Sequence, residues 1–223
     1  MKIMNKKQQG QLEKFKKFTA WMHGDCKRAE ILAGAQFLSA LGLFNYIEVL
    51  GAFLIGYFEK DDKGQILKNP KTGENKKTRS EYRFNAFFSY LSQEYEGLLN
   101  KHSEIYNELR CGLTHEFLPK KRKFSVIKII LNCNEKDKEK IIDKIDNTIN
   151  FDIKNPIDDS IVDCGIIFLH HDREEIWQIF TLKLAVDLGE GIKKLINEIE
   201  QGKNKKLMEN FFETADQINI QNF

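Results

Sequence analysis

Between Ile31 and Phe58 the chain reads ILAGAQFLSALGLFNYIEVLGAFLIGYF. A run this long and apolar has two natural homes. One is a bilayer, where a spanning helix needs ~20 mostly apolar residues. The other is the interior of a helical bundle. Gln36, Ser39, Asn45 and, near the middle, Glu48 interrupt the run. A lone carboxylate at the bilayer centre costs roughly 2.5–3.5 kcal/mol on insertion scales. The chain has no second apolar span and no one-sided basic flank to orient one. A buried helix over about 28–58, or two helices joined near Gly42, is therefore expected, with no membrane partner. Glu48 then needs a cation beside it, because an unpaired buried carboxylate is strongly unfavourable.

The remaining segments supply surfaces for such a helix. Leu12, Phe15, Phe18 and Met22 recur at helical spacing over 11–24. Glu59 to Ser80 is polar and holds Gly64, Pro70 and Gly73, which predicts a surface loop. Phe84, Phe87, Phe88, Leu91, Tyr95 and Leu98 predict one helix over about 81–99. A further helix is predicted over 103–118, with Ser103 as its cap and Pro119 just beyond it. FSVIKIIL (124–131) and IVDCGIIFL (161–169) are short, apolar and β-branched, so they predict two strands. Between them Ile141, Ile142, Ile145 and Ile149 form the stripe of an inserted amphipathic helix. The stripe from Ile176 to Ile199 predicts a long helix opening near Asp172 and running to Gln201, and a last helix follows over about 205–218. The expected fold is mainly α: a single domain over 1–223, a helical bundle with a small inserted strand–helix–strand appendage at 124–169, its two strands forming a hairpin.

Composition narrows the functional classes. Thirty-five Lys and Arg against 33 Asp and Glu leave a net charge of +2. A global polyelectrolyte is excluded, and any nucleic-acid contact has to come from a local patch. Cys26, Cys111, Cys133 and Cys164 form no CxxC pair and fit no zinc module. They are expected to be reduced thiols, which points to the cytoplasm. The N-terminal MKIMNKKQQGQLEKFKK lacks an apolar stretch, so a secretory leader is not expected.

Several chemistries lack their motifs. The sequence holds no GxxxxGK[ST], no GxGxxG after a strand, no HExxH and no GxSxG. His170, His171 and Asp172 are consecutive. They are expected to form a solvated turn, with Asp172 capping the long helix, rather than a metal site. His23 and His102 stand alone at helix ends, with no role assigned to them. No metal and no cofactor are implied.

The informative segment is YNELRCGLTHEFLP, Tyr106 to Pro119. Arg110 and His115 have four residues between them. A guanidinium grips phosphate in a planar fork and stays charged at any working pH. An imidazole exchanges protons near neutrality. Together they are a minimal kit for cutting RNA without a metal. The ribose 2′-OH attacks its own phosphate, His115 handles a proton, and Arg110 stabilises the charge that grows on the phosphate. On a regular helix the two residues are turned apart by about 140°. A second copy of the motif from a partner subunit would complete a cleft more easily. Just beyond, Lys120, Lys121, Arg122 and Lys123 form a basic cluster placed to steer an RNA backbone.

R-C-G-L-T-H at 110–115, set after two apolar helices and before a long final one, resembles the R-x4-6-H motif of the HEPN superfamily. The resemblance covers about 28–118 and 172–200 in helix order. It implies a four-helix bundle, a homodimer and a metal-independent endoribonuclease cleaving single-stranded RNA, a toxin or defence effector with an antitoxin protein as a further partner. It implies catalytic roles for Arg110 and His115 and supporting roles for Glu48, Cys111 and Thr114. Cutting members usually carry Asn, Asp or His directly after the arginine, where this chain has Cys111, whose thiol is a weak donor. A second reading therefore stands beside the first: a HEPN-type bundle that grips RNA or a nucleotide, or engages another protein, without cutting. A third is purely structural. In it Arg110 pairs with Glu108, Glu116 or Glu48 to anchor helices, and His115 is an ordinary bundle histidine.

Overall fold

A computed structural model describes residues 4–27, 29, 36–112, 124–127, 167–171 and 174–220. The protein is mainly helical. The elements are α1 (Lys6–Lys27), α2 (Gln36–Ile55), α3 (Ser80–Leu91), α4 (Gln93–Lys101), a π-helical turn at Tyr106–Cys111, strands β1 (Phe124–Ile127), β2 (Ile167–His171) and β3 (Glu174–Phe180), α5 (Thr181–Gln201) and α6 (Lys205–Gln217).

The apolar run becomes α2, the central helix, with α1, α3, α5 and α6 packed around it. Leu38–Ile55 is long and apolar enough to cross a membrane by length and composition. Here its Leu43, Phe44, Ile47, Leu50 and Phe53 are wholly buried in the bundle core. Gly42 does not divide it; α2 runs straight through. It ends at Gly56, whose φ of +97° is the left-handed conformation that favours glycine past a helix C-terminus. The last carbonyls of α2 are capped from another helix. Thr214 Oγ1 donates to Ala52 O and Asn210 Nδ2 donates to Leu54 O, each at 2.8 Å.

The predicted helix over 81–99 is two helices. Ser92 is extended (φ −164°, ψ 172°) and separates α3 from α4. This break gives α4 its own direction, and Tyr95 reaches Asp187 of α5. Phe84, Phe87 and Phe88 are fully buried, as their spacing predicts. The polar loop is a finger of antiparallel bridges, Phe58 with Lys77, Lys60 with Ile66, and Lys68 with Asn75.

Two expectations about the appendage need correction. Strands at Phe124–Ile127 and Ile167–His171 overlap the predicted 124–131 and 161–169, yet they do not pair with each other as a hairpin. The sheet order is β1-β3-β2, with β3 parallel to β1 and antiparallel to β2. The long helix does not open at Asp172 either. Residues 174–180 are strand, and α5 starts at Thr181. EEIWQIF carries Ile176, Ile179 and Phe180 at helical spacing, but it is also rich in β-branched and aromatic residues. Ladder partners on both sides settle the ambiguity in favour of the strand. His170 and His171 belong to β2, not to a turn. The predicted inserted helix near 141–149 lies outside the described residues, as does Asp172.

Candidate functional site

Three segments distant in sequence meet around Glu48. The carboxylate projects from α2 and receives a different cation on each oxygen. Arg83 of α3 donates through Nη2 to Oε1 at 3.0 Å. Arg110 of the π-turn brings Nε to 2.8 Å from Oε2, a charge contact outside hydrogen-bonding alignment. Side-chain exposure is 10% for Glu48, 15% for Arg83 and 21% for Arg110. The group is thus largely desolvated, though its arginines still reach the surface.

Local structure explains how the segments come together. Glu48 and Gly51 lie one turn apart on α2, on the side that meets α3. A Cβ on Gly51 would collide with the carbonyl of Arg83 and stand 2.9 Å from its Cα. Glycine therefore lets the α3 backbone close in at Arg83 itself. Arg83 Nη2 also donates to Ser80 Oγ at 2.9 Å, and its guanidinium lies 5.7 Å from the Tyr57 ring centroid. Arg110 lies 5.9 Å from the Tyr106 ring, within cation–π range. π-turns are rare and recur at functional sites.

Tyr106 completes the group. Burial pushes its phenol above the ordinary value of 10.0, and the Glu48 carboxylate pushes further; Arg110 and a hydrogen bond with Ser80 pull the other way. The phenol stays protonated at neutral pH.

Of the residues predicted for the site, Glu48 and Arg110 are brought together, and Glu48 is the carboxylate beside Arg110. Cys111 is half-buried and packs against the apolar core as a small hydrophobe. Thr114, His115, Lys120, Lys121, Arg122 and Lys123 lie outside the described residues, as does Glu116. Sequence reasoning missed Arg83, Ser80 and Tyr57. A signal for Arg83 was present: a cation beside Phe84 on a strongly apolar helix, at the boundary of its stripe. His23 has a structural place. It is buried, and its Nε2–H donates to Ala185 O at 2.8 Å, joining α1 to α5.

A concavity of about 950 Å³ lies where the finger meets α3 and α6. Ile55, Leu67 and Tyr82, three exposed large hydrophobic residues, line it. Its charges largely neutralise one another. Lys60 pairs with Glu213, Lys76 with Glu59, and Lys205 stands 3.6 Å from Glu209. It therefore presents little net charge to an anion. Among the described residues no group of three His, Cys, Asp or Glu side chains is placed to hold a metal ion.

No protein-family model matches this chain. No curated protein matches its sequence, and no solved structure matches it.

Proposed function

We propose that this protein is a HEPN-like, metal-independent endoribonuclease acting on single-stranded RNA as a homodimer. The observation that supports this reading is Arg110 itself. It is a partly exposed guanidinium in a π-turn, fixed at 2.8 Å by a buried carboxylate from another helix. A fixed cation loses little side-chain freedom when a phosphate arrives. In the reaction the ribose 2′-oxygen attacks the adjacent phosphorus and the 5′-oxygen leaves. The products are a 2′,3′-cyclic phosphate and a 5′-hydroxyl. Arg110 stabilises the charge on the non-bridging oxygens, and His115 moves a proton at the attacking or the leaving oxygen.

A second reading is favoured by Cys111. This side chain packs on the core and offers no strong hydrogen bond to the motif. In that reading the bundle holds RNA or a nucleotide without cutting it.

One assay separates them. The purified protein, Arg110→Ala and His115→Ala are incubated with mixed RNA in EDTA, and products are tested for cyclic phosphate ends. The enzyme reading expects cleavage by the parent chain and a loss of at least roughly a hundredfold in each variant. Intact RNA with salt-sensitive binding that weakens in Arg110→Ala selects the binding module. Intact RNA and no binding leave Arg110 as a helix anchor and defeat both.

A further inference from the structure

Exposed apolar surface gathers in one place. Among the described residues five large hydrophobic side chains are exposed, and three of them, Ile55, Leu67 and Tyr82, line the cleft between the finger, α3 and α6. The same cleft is lined by two buried polar residues, Thr78 at 7% and Asn210 at 4% exposure. Leu54 O can only accept, so Asn210 must present Nδ2 to it, at 2.8 Å. Its Oδ1 is thereby left as an acceptor in a fixed orientation. Neither that oxygen nor Thr78 Oγ1 has a hydrogen-bond partner among the described residues. Buried polar groups are ordinarily hydrogen-bonded, and the cleft is where a partner for these two can stand. We propose that this cleft is a binding site for a small uncharged aromatic alcohol, a phenol in class. Its ring lies against Tyr82, Ile55 and Leu67, and its hydroxyl answers Asn210 and Thr78.

Each part of that class follows from a separate feature. The ring follows from the walls. Tyr82 is 51% exposed, and the Arg79 guanidinium, 5.6 Å from its ring centroid, steadies an aromatic surface on which a planar ligand can pack. The hydroxyl follows from the two unpartnered oxygens. A phenolic O–H donates to Asn210 Oδ1 and accepts from Thr78 Oγ1, whereas an ether can only accept. The absence of charge follows from the lining. Five Lys and Arg and four Asp and Glu line the cleft, and Glu213 pairs with Lys60, so the charges balance. A phosphate or carboxylate gains no net attraction there. The volume of about 950 Å³ is at the upper end of the roughly 300–1,000 Å³ of small-molecule clefts and admits a ring with substituents. None of this depends on Arg110 or on RNA, so the inference stands or falls apart from the ribonuclease reading.

The test is equilibrium dialysis of the full chain against three matched probes: 2-naphthol, 2-methoxynaphthalene, which lacks the donor, and 2-naphthoate, which carries a charge. 2-Naphthol is expected to bind, and each of the other two to bind about tenfold more weakly. Three variants locate the site, with urea unfolding measured on each. Tyr82→Ala removes an exposed ring and is expected to weaken 2-naphthol about tenfold. Thr78→Val keeps the side chain's shape and removes the unpartnered hydroxyl. It is expected to leave stability close to the parent and to weaken 2-naphthol about threefold. Trp21→Ala removes an exposed aromatic of α1 that does not line the cleft, and is expected to bind like the parent. Should Tyr82→Ala not fold, Leu67→Ala takes its place as the wall variant. The inference is overturned by any of four results. These are no binding of 2-naphthol at millimolar concentration, equal or tighter binding of either other probe, parental affinity in Thr78→Val or in the wall variant, and a loss in Trp21→Ala equal to that in the wall variant.

Discussion

Tyr95 is fully buried in α4, and its hydroxyl donates to Asp187 Oδ2 at 2.7 Å; Lys183 holds the other oxygen of Asp187 at the same distance. Burial first, then the Asp187 charge, pushes the Tyr95 phenol well above 10.0. Burial and Glu198 push Tyr90 up in the same way, and Tyr106 is raised as well. A phenol whose folded pKa is raised binds its proton more tightly in the folded state. Its stabilising contribution is complete below the unfolded value near 10 and is lost as pH rises from there toward the folded value. Stability should therefore fall steeply above about pH 10, as read by urea unfolding across that range. Tyr95→Phe is expected to cost about 1–2 kcal/mol at neutral pH, because it takes a hydrogen bond from a carboxylate. It is also expected to make the alkaline decline shallower. An unchanged alkaline slope would mean that the buried phenols are not what limits stability there. At this scale the sequence was only partly legible. It showed that Glu48 needed a cation and offered Arg110; the second cation comes from a helix 35 residues away, and no local spacing rule points to it.

Helix packing turns on small residues as much as on apolar stripes. The stripes of α1, α3 and α5 could be read from spacing, and their members contribute to the core. How closely two helices approach could not. Gly51 decides it for α2 and α3, because only a hydrogen fits against the Arg83 backbone. Gly51→Ala is expected to force those helices apart, to destabilise the protein by about 3 kcal/mol and to pull Arg83 from Glu48. Urea unfolding measures the loss of stability. Near-parental stability would show that α3 can slide without cost. The misread strand 174–180 belongs to this scale too. Its apolar residues fit a helical and an extended period, and pairing with β1 and β2 decides between them.

The whole molecule is organised around α2, an apolar helix carrying one carboxylate whose two cations arrive from α3 and the π-turn. The neighbouring cleft shares α3 through Arg79 and Tyr82, and its Lys60 and Lys76 are matched by Glu213 and Glu59. A composite RNA cleft built from two copies of the motif requires a dimer. Light scattering on the purified chain is expected to give twice the 26.1 kDa chain mass. A monomer at high concentration would remove the composite cleft and leave any RNA contact to a single copy.

By itself the sequence determined the helical stripes, the central placement of the apolar run and the need for a cation at Glu48. These follow from spacing and from the cost of burying charge, and both are local properties. The tertiary structure decided which arginines answer that carboxylate, where α3 breaks from α4, and that residues 174–180 extend rather than coil. Each of these depends on groups brought together from distant parts of the chain, whose meeting is fixed by close packing and by ladder partners that no short window contains.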